Sequence, residues 1–414
     1  VHSRTVCRLL LTLVLLTWGH GAVAKTVLPF LVPSSVTGDA TRLFHTLTQD
    51  FQAQRPDIAI VLKTFASYES LMDHVLAETR AGRDVGLFVA EVSTTSELRA
   101  AKAILPFRDA FGDGLPAFRA RFVPSFLGNS YSSDGTFWSA PYFRGMPIAY
   151  YNLAELAKIG VGAQALPTDW AGFEALLVRL REVTHRPPFV LGGDWYDWLF
   201  EALAAGTEAP LGFDDNGVVI DTPGAIEALA LLKRLKDQGL MIRTPVWKAT
   251  INGFAENIFP VVFYSNGGMR MVQDTAGFPW ATEQLPRLSR RGVPAGGGNL
   301  FLSAAMGEEQ RQAAVAFLDF LLSPTHQASL SAATGYFPVV RAAFEDPRLR
   351  RLTEQDSYAG VYRNLEHVTA KLMAPNSSAV RLAVKGAIDR CLDHNIAPDV
   401  ALHEAQASLT AKRP

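Results

Sequence analysis

Several short stretches place polar and aromatic side chains where strands give way to helices. YSNGGM puts Ser265 and two glycines at such a junction, ASYES puts Tyr68 at a helix start, and GGDWYDW sets Trp195 and Trp198 after a strand. Free N–H groups at a helix N-terminus attract anions. Aromatic faces receive apolar or cationic groups. PAGGGNLF carries Gly296, Gly297 and Gly298 in a row, which suits a phosphate cradle, a hinge or a plain turn. This is the inventory of a binding cleft rather than a reaction centre. The chain has no G-x-S-x-G elbow and no G-x-x-x-x-G-K-[ST] loop, and His403-Glu404 lacks the second histidine of H-E-x-x-H. FDDNGVVID lacks calcium-loop spacing, so Asp214 to Gly217 reads as a surface turn. The expectation is a binding protein rather than an enzyme, with no metal and no cofactor.

The elements that must hold these residues alternate in type. Lys25 to Leu31 reads as a buried strand, and Leu43, Phe44, Leu47 and Phe51 line one face of a helix over Thr41 to Gln54. Ile58, Ile60 and Leu62 alternate as a strand, YESLMDHVLAETRAG is a helix closed by Gly82, and DVGLFVAEV is a strand again. This βαβαβ opening predicts an α/β lobe with a largely parallel sheet. Phe137 to Asn152 reads as extended chain, and its Pro141 and Pro147 place it at a sheet edge or on a crossing. The alternation continues to the C-terminal helices Ala379 to Leu392 and Pro398 to Leu409 without a Pro/Ser-rich linker. Two lobes that the chain visits more than once fit this pattern, with Ser139 to Pro147 and Gly292 to Leu300 as hinges.

Composition narrows the class. The chain has 414 residues, 48% hydrophobic and 19% charged, with a net charge of -1. Two domains fit that length, and nothing basic points to nucleic acid. Arg4 and Arg8, the apolar Leu9 to Trp18 and Ala22-Val23-Ala24 form the three parts of a secretory signal peptide, with a mature chain expected from Lys25. Cys7 precedes the apolar core, so no lipid anchor is expected. Cys391 would remain as the one cysteine, with a packing role and no disulfide. These features suggest a bacterial periplasm.

PYFRGMPIAYYNLAELAKIGV, LPTDWAGFEALLVRLRE, GGGNLFLSA and AVAFLDFLLSPTHQASLSAATGYFPV together resemble the extracellular solute-binding proteins of ABC transporters, in the maltose-binding superfamily. Within it the similarity is greatest to the sn-glycerol-3-phosphate-binding group, over nearly the whole mature chain. The resemblance implies a type II periplasmic-binding-protein fold: two α/β lobes joined by hinge crossings, with the ligand cleft between them. It implies a signal peptide over 1–24, a first lobe from 25–142, a second from 143–292, a return over 293–330, and 331–414 mainly in the second lobe. A monomer that hands its ligand to the membrane subunits of an ABC permease is expected.

The resemblance also implies a site. Tyr68 and Glu91 would bind glycerol hydroxyls, while Ser265, Gly297, Tyr336 and Arg381 would hold a phosphate. Trp195 would cover the ligand. Gly145 stands where the family has a serine, so a phosphate-contacting hydroxyl is lost, and the neighbouring Arg144 would supply a charge instead. Each residue also has a plainer reading: exposed arginines for Arg144 and Arg381, an N-cap carboxylate for Glu91, an N-cap for Ser265, and packing aromatics for Tyr68, Trp195 and Tyr336. A glycerophosphodiester, a neutral sugar bound by the same fold, and a secreted hydrolase stay open as alternatives.

Overall fold

The structure, a computed structural model, describes residues 25–34, 40–193, 196–214, 217–290, 292–362 and 365–411. The signal peptide reading lies outside them. Apolar residues alternate with glycine- and proline-marked turns to give fourteen short strands among the described residues. The first lobe holds β1 (Thr26–Pro33), β2 (Ile58–Phe65), β3 (Leu87–Glu91) and β4 (Ala140–Gly145). The second holds β5 (Pro147–Asn152), β6 (Phe189–Gly192), the hairpin of β7 (Gly212–Asp214) and β8 (Gly217–Val219), β9 (Met241–Thr244), β10 (Val261–Ser265) and β11 (Trp280–Gln284). The chain then forms β12 (Val293–Pro294), β13 (Gly296–Leu302) and, much later, β14 (Val368–Thr369).

Two five-stranded sheets result. One has the order β2-β1-β3-β13-β4 and the other β11-β5-β10-β6-β9. In the first, β1 runs parallel to β2 and β3, while β13 is antiparallel to β3 and β4. In the second, β6 is parallel to β9 and β10, while β5 is antiparallel to β10 and β11. This is the mixed α/β, two-lobed architecture expected from the sequence. The chain passes from β4 to β5 through Met146 alone, and returns to β13 through residues 285–295. A third passage brings it back to helices Ser377–Asp393 and Pro398–Ala411, which pack on Pro223–Asp237 of the second lobe. β12 and β14 pair in parallel, so two of the passages are tied together.

Two expectations need correction. β4 is indeed an edge strand, but β5 lies inside its sheet, between β11 and β10. Pro147 is tolerated because it is the first residue of the strand. Gly296 to Gly298 do not lie on an open crossing. They begin β13, inside the first sheet, with Gly296 opposite Gly145 and Gly297 opposite Arg144. Close packing rather than a turn selects glycine there.

The cores follow the lobes. Leu31, Leu71, Val75, Phe88 and Phe301 pack on one face of the first sheet. Leu177, Phe189, Leu229, Phe263, Ile388 and Leu402 fill the second lobe, and buried Cys391 packs among them. A third cluster runs from Phe30, Phe44 and Phe317 past Phe143, Tyr336 and Phe337 to Tyr150 and Met269. Hydrophobic contact is therefore continuous beneath the passage between the sheets. No helix among the described residues is long and apolar enough to cross a membrane.

Candidate ligand-binding site

Tyr68 stands at a helix start, and Glu91, Gly145 and Ser265 at strand ends, where backbone direction changes. Tyr68 opens the helix Tyr68–Arg80, which Ser67 caps by accepting from Ser70 N at 3.2 Å while Ser70 Oγ accepts from Ser67 N at 3.1 Å. Glu91 is the last residue of β3. Its Oε2 accepts from Ser93 N at 2.8 Å and from the Ser93 hydroxyl, so it caps the turn Val92–Thr94. Ser265 is the last residue of β10 and accepts from Gly267 N at 3.1 Å. The plainer N-cap readings of Glu91 and Ser265 are thus present in the structure. Each residue is also buried, at 2% and 5% exposure.

Missing side chains make room for the aromatic ring of Tyr336. A Cβ on Gly145 would lie 2.9 Å from Tyr336 Cε1 and 3.0 Å from Ser265 Oγ. A Cβ on Gly267 would meet Tyr336 Cζ at 2.5 Å. The ring stacks on Phe143 with centroids 5.2 Å apart. Gly297 has φ +105°, and a Cβ there would strike Phe143 O at 2.4 Å. A Cβ on Gly298 would lie 2.9 Å from the Tyr68 hydroxyl. Asn266, fully buried, joins these parts: its Oδ1 accepts from Met146 N at 2.8 Å and its Nδ2 donates to Gly335 O at 2.8 Å. One side chain thereby ties the crossing at Met146 to the segment that presents Tyr336.

The two arginines differ. Arg144 is 1% exposed, contrary to the reading of an exposed arginine. Its guanidinium donates to Phe143 O, Gly298 O and Phe126 O and to Asn299 Oδ1, at 3.2, 3.1, 2.9 and 2.6 Å. It fastens β4 to β13. Both terminal nitrogens are thus committed to protein oxygens, which corrects the idea of a charge lent to replace the missing serine. Burial pushes this group down to about 9, partly offset by Tyr68 and Glu91, and leaves it a cation at neutral pH. Arg381 lies in the helix Ser377–Asp393 with 26% of its side chain exposed. It bonds Glu69 Oε1 at 2.9 Å through NH1 and Asp197 Oδ2 at 3.2 Å through Nε. Glu69 belongs to the first lobe and Asp197 to the second, so Arg381 spans the cleft. Burial works against its charge, but Asp197, Glu69 and Glu91 outweigh that and raise it.

Sequence reasoning missed Lys371. Its side chain is 3% exposed, and Nζ lies 3.2 Å from Glu91 Oε1. Burial opposes the Glu91 charge, yet Lys371, Ser93 and Arg381 together hold the carboxyl below the usual range. Burial pushes the Tyr68 and Tyr336 phenols up, so both are neutral donors. Trp198 packs against Gly296 and donates to Pro294 O at 3.0 Å, and Trp247 stacks on Tyr264 at 4.2 Å. Trp195 lies outside the described residues. A cleft of about 500 Å³ is lined by Glu201, Leu211, Phe213, Pro294 and Lys371 among others. Glu201 lines it and is raised to about 7, with burial the largest cause.

The arrangement therefore joins neutral hydroxyls (Tyr68, Ser265, Tyr336), a paired carboxylate, glycine backbone and one cleft-facing guanidinium. Such a set orients a small polar ligand by hydrogen bonds. The family described as bacterial extracellular solute-binding protein matches residues 46–354. The sn-glycerol-3-phosphate-binding periplasmic protein UgpB of Escherichia coli strain 536 is 25% identical over 355 residues, which is 82% of this chain and 80% of that protein. UgpB of Mycobacterium tuberculosis, solved with glycerophosphocholine, superposes with a TM-score of 0.82 at 21% identity, covering 92% of this chain and 98% of that one. The GacH receptor of Streptomyces glaucescens, solved unliganded and with acarbose, gives 0.79 at 16% identity, covering 93% and 97%. The two structures share the fold. With well over half of its residues matched, the chain belongs to the bacterial extracellular solute-binding proteins.

Proposed function

We propose that this protein is the periplasmic binding component of an importer for sn-glycerol 3-phosphate or a glycerophosphodiester, and that it acts as a monomer delivering the ligand to permease subunits. The observation that carries the reading is convergence. Supporting it, Tyr68 lies within electrostatic reach of Glu91 and Tyr336, Ser265 and Tyr336 both lie against Gly145, and Arg381 bonds Glu69, the neighbour of Tyr68. Tyr68 and Glu91 take the glycerol hydroxyls. Ser265, Tyr336, the Gly297 backbone and Arg381 take the phosphate. Arg144 and Gly145 shape the strand and the tyrosine seat, and Trp195 covers the ligand. Closing the lobes excludes water, which strengthens charged hydrogen bonds, and the closed form is what the permease reads. No bond is broken.

Isothermal titration of the purified protein with sn-glycerol 3-phosphate, glycerophosphocholine and maltose, in separate runs, tests this. The expected result is binding of at least one phosphate near micromolar, about 8 kcal/mol. Arg381→Ala should weaken it by about 10- to 100-fold, the worth of a charged hydrogen bond. Heat from maltose alone would assign a neutral sugar instead, and unchanged affinity in Arg381→Ala would remove the phosphate assignment.

A further inference from the structure

Lys371 lies just beyond β14, and its ion pair with Glu91 joins residues 280 positions apart. Its backbone is clamped by Asn129, whose Oδ1 accepts from Lys371 N at 2.9 Å and whose Nδ2 donates to Lys371 O at 2.8 Å. Leu372 N donates to Glu201 Oε1 at 2.6 Å. Ser377 Oγ donates to Ser93 O at 3.0 Å, which steadies the other partner of Glu91. The two carboxylate oxygens of Glu91 are thus used differently. Oε2 receives both the N–H and the hydroxyl of Ser93, whereas Oε1 receives Lys371. A carboxylate oxygen has two acceptor directions, so Oε1 keeps one for a ligand hydroxyl.

A buried ion pair adds little stability compared with apolar packing, so its presence calls for another reason. Electrostatics supplies one. A lone carboxylate in a cleft would repel an anionic ligand, while a paired carboxylate accepts a hydroxyl without that penalty. We propose that Lys371 is a specificity-determining positioning residue: it fixes Glu91 as a hydroxyl acceptor and cancels its charge, so one cleft holds a hydroxyl group and an anionic group side by side. This rests on the proposed function, in which the ligand carries both.

The test compares sn-glycerol 3-phosphate, a dianion at pH 8, with its methyl phosphodiester, a monoanion, by titration calorimetry at low salt. The readout is the ratio of the two affinities. Lys371→Met should shift the ratio about 10-fold toward the monoanion, because it leaves a negative charge in place. Glu91→Gln should shift it about 10-fold toward the dianion, because it leaves a positive one. Loss of a hydroxyl contact affects both ligands alike and cancels in the ratio. Lys371→Arg should stay within about 3-fold of wild type, as it keeps the charge. Lys371→Met strands a buried carboxylate, so its folding is checked by thermal denaturation; if it does not fold, Glu91→Gln decides. A ratio unmoved in Glu91→Gln, or moved toward the monoanion there, overturns the inference. A wild-type protein that binds neither these esters nor glycerophosphocholine overturns the proposed function itself, and that is seen before any substitution is made.

Discussion

Placing a serine at position 145 should harm this protein. The reason is geometric. The new Cβ would lie 2.9 and 3.3 Å from Tyr336 Cε1 and Cδ1 and 3.0 Å from Ser265 Oγ. Comfortable carbon contacts lie at about 3.5–4.0 Å, so the ring must retreat by roughly 0.5–1 Å. It has little space to do so. Phe143 stacks on it, and the backbone of Gly267 lies so close that a Cβ there would be 2.5 Å from Cζ. Overpacking of this kind costs about 1–3 kcal/mol. If the strain is borne in the folded state, Gly145→Ser and Gly145→Ala should both melt lower by several degrees in a thermal scan. If it is relieved by moving Tyr336, affinity for the phosphate ligand should fall by about 5- to 100-fold, the same energy read by calorimetry. Alanine separates the Cβ from the hydroxyl. A serine variant that melts within about a degree of wild type and binds more tightly would show that Tyr336 does not own this space, and the packing argument would fall.

Two further predictions follow from buried charge. Arg144→Met should destabilise the protein by about 3–5 kcal/mol, because it removes the donor from as many as four oxygens between β4 and β13; thermal denaturation and protease sensitivity read this out. Glu201 has a folded-state value raised to about 7, above the unfolded one, so the folded protein holds its proton more tightly and the linked stability is full below the unfolded value and declines as pH rises through about 7. Glu201→Gln, which keeps an acceptor for Leu372 N, should remove that decline and gain roughly 1–3 kcal/mol above pH 7, a figure discounted because the side chain borders the open cleft.

Local chemistry made much of the molecule readable. Tyr68 at a helix start and Gly82, at φ +69° just after that helix, are short-range signals. Grouping Tyr68, Glu91, Ser265 and Tyr336 in one site came only through resemblance, since their spacing along the chain carries no period. Gly296 to Gly298 misled because a glycine run has two causes, a turn or a tight approach. Only the ring of Trp198 and the backbone of Phe143 decide for the second. Lys371 gave no signal at all. A single lysine in TAKLMAP reads as solvated, and the carboxylate that explains it lies in β3, at the other end of the chain.

The charges of the cleft also say how an anion would be received. Among the described groups Arg144 is committed to carbonyl and amide oxygens, and Lys371 is matched by Glu91, so Arg381 is the cation whose partners decide the matter. Its two carboxylates are not equivalent. Asp197 is 6% exposed, and stripping it of Arg381 would strand a buried charge. Glu69 is 53% exposed, and water can solvate it once released. An exposed ion pair is worth about 0–1 kcal/mol, less than the roughly 1.5–3 of a charged hydrogen bond to a phosphate in a closed cleft. The fork of Arg381 therefore has a fixed tine and an exchangeable one. Nε is held by Asp197, and under the proposed function NH1 would trade Glu69 for the ligand. That exchange removes one direct link between the lobes and replaces it with one through the ligand. Under that proposal affinity and closure are set by the same bond.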